Sequence, residues 1–127
     1  MNRRIYLSGK MSGKPDWNAK AFANAEAELR AQGFTEIFNP ATLHPSPKMT
    51  HEELKAAGLW TKTWQYYLKR DIALIAAKID EIRVIDNEWV DSQGARLEIF
   101  VAHKLGIPVR DLKGCPVPYR FVLNLNL

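Results

Sequence analysis

The segment EIRVIDNEWVDSQGARLEIFVAHKLGIPVRDL, Glu81 to Leu112, decides the fold. It opens on a β-rich run, EIRVID (Glu81 to Asp86), and crosses a polar loop, NEWVDSQ. From Gly94 to Leu105 it has the spacing of a helix, and it closes on a second short run, IPVRDL. Strand, helix and strand in that order is the repeating unit of an α/β sheet with mostly parallel strands.

The helix carries an oddity. At about 100° per residue, Glu98 has Gly94, Ala95, Val101, Ala102 and Leu105 as its nearest neighbours around the helix, all small or apolar. The charged Arg96, His103 and Lys104 lie toward the other side. Burying an unpaired carboxylate costs several kcal/mol, so such a group neutralises or finds a partner. One reading is an ordinary acid, at the surface or held by an arginine or a backbone amide. The other is a catalytic carboxylate at the floor of a cleft. Position alone leaves both open.

Upstream, RRIYLSG (Arg3 to Gly9) is a first β-rich run, followed by the loop KMSGKPDW. Asp16 is the expected N-cap of an alanine-rich helix from Trp17 to Gln32, with Phe22, Ala25 and Leu29 inward and Gly33 at its end. FTEIFNP is a second strand, stopped at Asn39-Pro40. Residues 41–59 read as a long functional loop or lid, with a short helix around THEELKAAG. WTKTWQYYLKRDIALIAAKID is a further helix, and PYRFVLNLNL a fifth, edge strand. The expected fold is a single α/β domain, residues 1–127. It is a flavodoxin-like or Rossmann-like three-layer sandwich on a mostly parallel sheet of four to five strands.

In such sheets ligands bind outside the carboxyl ends of the strands, at the point where strand order reverses. That directs attention to the loops after the first three strands. Gly9, Lys10, Met11, Ser12 and Gly13 form a glycine-bracketed turn whose amides suit a phosphate. It has neither Walker A nor dinucleotide spacing, and a plain strand-to-helix turn explains it as well. Asn39 begins the second loop. Asp91 and Ser92 end the third, before Gly94. Ser92 suits an N-cap and equally a phosphate ligand, and Asp91 a cap or a sugar hydroxyl. Asp71 shares a helix face with Tyr67, Leu68, Leu74 and Ile75 and has no ideal lysine partner. Two carboxylates from separate helices are the equipment for cutting a glycosidic bond. Trp17 and Trp89 flank these loops, so either packs in the core or stacks on a base.

Composition bounds the rest. No apolar run approaches the ~18 residues of a membrane span, and MNRRIYLSG has no signal-peptide stretch. One cysteine excludes an intrachain disulfide, and His44, His51 and His103 lack metal-ligand spacing. A cytoplasmic protein with no membrane partner and no metal is expected. The net charge of +4 suits small anions, but the basic residues form no stripe, so nucleic acid is not the expected partner.

The ordered set IYLSGKMSG, FNPA, YLKRDIALIAAKIDEIRVID and DSQGARLEIFVAHKLGIPV resembles the nucleoside 2-deoxyribosyltransferase superfamily. It is most similar to that superfamily's small phage and prophage members and to its 2′-deoxynucleoside 5′-monophosphate N-hydrolases. The resemblance implies a homo-oligomer, often a dimer, that cleaves the N-glycosidic bond of a nucleoside or nucleotide without a cofactor. It implies that Glu98 is the nucleophile, that Asp71 assists the departing base, that Tyr6 holds the nucleophile, and that Gly9 to Gly13 run along the sugar and phosphate. Six residues before the nucleophile, the free-nucleoside transferases carry aspartate and the nucleotide hydrolases serine. Ser92 stands there, which favours a 5′-monophosphate. The hydrolases resemble GSIRGG in the first loop, whereas this chain has GKMSGK, so Lys10 or Lys14 takes the place of the arginine. A rival reading is a nucleotide-binding or sensing module of the same fold without turnover.

Overall fold

The structure, a computed structural model, describes residues 3–42, 56 and 64–118. The 41–59 lid, apart from its first two residues and Ala56, lies outside them, as do His44, His51, Trp60 and all but Pro118 of the expected fifth strand. Four strands form the sheet: β1 (Arg4–Ser8), β2 (Glu36–Phe38), β3 (Glu81–Val84) and β4 (Val109–Asp111). They run in the order β2-β1-β3-β4, and all neighbours are parallel. Among the described residues α1 (Ala19–Ala31), α2 (Trp64–Lys78) and α3 (Gln93–Lys104) alternate with them.

Handedness explains the layers. The chain moves one way from β1 to β2, then reverses to β3 and β4. Crossovers between parallel strands are right-handed, so the reversal puts α1 on one face and α2 and α3 on the other. The result is the flavodoxin-like three-layer arrangement, with its switch point between β1 and β3.

Strand alternation sorts the core accordingly. Tyr6, Ile82 and Val84 pack against Ile75, Ile79, Trp89, Ala95, Ile99 and Ala102 on the two-helix face. Ile5 and Leu7 pack against Phe22, Ala25, Leu29, Phe34 and Ile85 on the α1 face. Each large side chain so buried contributes roughly 1.5–3 kcal/mol. On α3 the buried set is Ala95, Glu98, Ile99 and Ala102, a helical stripe with one acid in it.

One expectation is corrected at the start of α1. Asp16 is no N-cap. Asp16, Trp17 and Asn18 all adopt left-handed backbone, with φ of 49, 58 and 61°. They form a 3-10 turn at Pro15–Asn18, and the helix begins at Ala19. A cap residue needs extended backbone, which Asp16 lacks. Left-handed backbone costs about 1–2 kcal/mol per residue, and Asn18 Nδ2 ties the turn to the Lys10 carbonyl at 2.9 Å. The loop NEWVDSQ likewise contains a 3-10 turn, Asn87–Asp91, capped by the Asp86 side chain accepting from the Glu88 amide.

Candidate functional site

At the switch point a cleft of about 500 Å³ opens over the carboxyl ends of β1 and β3. That volume suits a drug-sized or nucleotide-sized ligand. Glu98 stands at its floor, only 6% exposed. Tyr6 and Ser8 lie two apart on β1 and so point to the same face. The Tyr6 hydroxyl donates to Glu98 Oε2 at 2.7 Å, and Ser8 Oγ donates to Oε1 at 2.9 Å. Both donors are wholly buried.

Asp71 comes from α2 and reaches the same point. Its carboxyl is within hydrogen-bonding reach of the Tyr6 hydroxyl. A phenol has one proton, so it can donate to only one of the two acids at a time. Asp71 is also gripped by its neighbour Arg70, whose Nε and Nη2 donate to Oδ1 at 3.0 and 2.9 Å. The Arg70 guanidinium lies over the Tyr67 ring at 5.1 Å.

Burial dominates the electrostatics. It pushes the Glu98 carboxyl up from 4.5 to about 8, the nearby Asp71 charge adding to the rise while Tyr6, Ser8 and Arg70 oppose it. Burial also raises Asp71, against the charge and hydrogen bonds of Arg70 and the bond to Tyr6. Tyr6 is held well above the usual phenol range, first by burial and then by the two acids, so it stays a neutral donor. The cleft thus holds two carboxyls that resist ionisation together, as acid–base sites require.

The remaining site residues fall on both sides of the cleft mouth. Gly9, Lys10, Met11 and Ser12 line it from the β1 loop. Asp91, Ser92 and Gly94 line it from the start of α3. Ser92 is the N-cap, its Oγ accepting from the Ala95 amide at 3.2 Å. Two residues lie outside the lining. Gly13 turns away at φ 80°. Asn39 is buried in the turn after β2, where Oδ1 accepts from the Ala41 amide and Nδ2 donates to Glu26. Lys14 is paired with Glu88, and among the described residues Lys10 and Arg70 are the cations in the lining. Of the tryptophans, Trp17 lines the cleft, while Trp89 is buried in the core. His103 is half-buried on α3 outside the lining, and burial lowers its pKa.

Sequence reasoning missed Ser8 and Arg70. Ser8 had a signal, its period-two spacing from Tyr6. Arg70 had none, because adjacent helical residues do not normally face one another. Among the described residues no group of His, Cys, Asp and Glu could hold a metal ion, and no helix is long and apolar enough to cross a membrane.

A family model for a domain of unknown function, DUF4406, matches residues 3–111. The chain belongs to that family. The matched stretch runs from the residue before β1 to the end of β4, so it contains every cleft residue named above. No curated protein and no solved structure matches the chain.

Proposed function

We propose that this chain cleaves the N-glycosidic bond of a (deoxy)nucleoside 5′-monophosphate, as a hydrolase or deoxyribosyltransferase of the nucleoside 2-deoxyribosyltransferase type. The observation that carries the reading is Glu98. It is buried at the floor of a nucleotide-sized cleft, with one donor on each oxygen and a second carboxyl beside it.

Ionised Glu98 attacks C1′ and the C1′–N bond breaks, its electron pair passing to the base. The step proceeds from the microstate in which the pair's proton lies on Asp71 rather than on Glu98, and Asp71 passes it to the leaving base. Water, or a second base, then displaces Glu98 from C1′ and restores the carboxylate. The Tyr6 and Ser8 hydroxyls stabilise the ionised form of Glu98 against its burial, as Arg70 does for Asp71. Acidic neighbours also stabilise positive charge developing on the sugar. At the mouth, Lys10, the Ser92 hydroxyl and the first amides of α3 suit the phosphate, and Trp17 suits the flat base.

A second reading has its own observation. With a pKa of about 8, Glu98 is mostly protonated at neutral pH, a state that donates to a sugar hydroxyl rather than attacks. That favours a nucleotide-binding module without turnover. One experiment separates them. The protein is incubated with the deoxynucleoside 5′-monophosphates, and separately with free deoxynucleosides, at neutral pH and at about pH 9. Free base is followed by chromatography, with Glu98→Ala as control. Release from monophosphates, greater at the higher pH and absent in the control, is expected. Release only when a second base is added identifies a transferase. Binding without release under every condition overturns the catalytic reading and leaves the module.

A further inference from the structure

A second cluster of charge lies on the α1 face, near the start of β3. Glu81, the first residue of β3, is wholly buried, and Arg83 nearly so. By register Ile5 lies beside Glu81, and Leu7 and Arg110 beside Arg83, so all share this face. Among the described residues α1 is the one helix there. It packs on β1, which leaves this stretch of β3 and β4 to polar side chains.

Glu81 is met by three guanidiniums. Arg3 and Arg110 bond Oε1, and Arg83 bonds Oε2. Arg83 is further fixed by a bond to the Asp111 carbonyl at 3.2 Å and by the Phe34 ring at 5.1 Å. A buried carboxylate needs enough donors to fill its lone pairs and one charge to balance it. Here three cations surround one acid. Asp80, the residue before Glu81, is bonded by Arg4 and also feels the charge of Arg3. Within the cluster the guanidiniums outnumber the carboxylate three to one, and they line a recess of about 260 Å³.

We propose that Arg3, Arg83 and Arg110 form an anion site, separate from the cleft, for inorganic phosphate or the phosphate of a small phosphomonoester. Glu81 acts as a template that holds the three forks in place before the anion arrives, so little ordering remains when it binds. Guanidinium forks match phosphate oxygens in pairs. Among the described residues the one acid in the recess, Glu81, already has both oxygens engaged, and the recess is too small for a whole nucleotide.

The test is calorimetric titration with inorganic phosphate, against sodium chloride of matched ionic strength, on the wild-type chain and on Arg3→Gln, Arg110→Gln and Lys10→Ala. Arg3 and Arg110 are 49% and 33% exposed, so their variants keep the fold, which thermal melts check. Expected is one saturable site of millimolar affinity or tighter. Either arginine variant weakens it about tenfold, and Lys10→Ala leaves it unchanged. Glycerol phosphate in place of phosphate distinguishes the sources: comparable affinity identifies an esterified phosphate, and loss of binding identifies the free ion. Absence of saturable heat, or binding lost in Lys10→Ala and kept in the arginine variants, overturns the proposal.

Discussion

Glu98→Gln tests the electrostatics of the cleft without any knowledge of substrate. The folded chain holds this carboxyl at about 8 against 4.5. It therefore binds its proton more tightly folded than unfolded. The stability linked to that proton is present in full below about pH 4.5 and is lost as pH rises through about 8. Between those two values each pH unit removes about 1.36 kcal/mol, so the loss from about pH 5 to pH 9 is about 4 kcal/mol. That is a large share of the roughly 5–15 kcal/mol that holds a domain together. Glutamine has the same shape and no proton to lose. Its carbonyl accepts from one hydroxyl, and its amide donates to the other. Urea unfolding of both proteins at about pH 5, 7 and 9 gives the comparison, since groups not in contact with Glu98 cancel in the difference. The variant should gain on the wild type by about 4 kcal/mol across that range. A difference that stays within about 1 kcal/mol refutes the reasoning, because Glu98 then titrates like an exposed acid.

Three further perturbations have worked outcomes. A Cβ on Gly9 would sit 2.5 Å from Ile85 Cγ1 and 2.8 Å from Cδ1, so Gly9→Ala should cost about 1–3 kcal/mol in thermal unfolding. Ile85→Ala should relieve most of that cost in the double variant; additivity of the two would show that the contact is not the cause. Ser92→Ala removes the cap of α3 and should lower stability by about 1 kcal/mol, and under the proposed function it raises KM for monophosphates more than for nucleosides. Tyr6→Phe deletes a hydrogen bond that lowers the Glu98 pKa. The rise of kcat/KM with pH should therefore move to higher pH, and an unmoved profile would place the titration on another group.

How much was legible depended on how local the cause was. The α3 stripe is set by helical period, so Glu98's place in the apolar arc was legible while its burial stayed one of two readings, and the inward Phe22, Ala25 and Leu29 of α1 followed from the same period. The parallel order followed from alternating elements. What failed was decided by tertiary context. Asp16 has the chemistry of a cap, but the 3-10 turn puts it at positive φ. Asn39 sits where ligands bind in such sheets, but its amide is engaged by Glu26 and the Ala41 amide. Glu81 looked like an ordinary strand residue, because the arginines that satisfy it come from 78 residues before and 2 and 29 residues after it.

The two bonds to Glu98 span 92 and 90 residues of chain. They join the first strand to the third helix across nearly everything between, and the β1–β3 pairing beside them joins residues 76 apart, Ile5 with Glu81. Closing long loops precedes the reward of the contacts they bring, so pairings of this separation come late in folding. A partly folded chain can have α1 packed on β1 and still leave Glu98 in water with an ordinary carboxyl. The abnormal acid is therefore a product of the completed fold, and its titration reports whether the last strand pairing has formed.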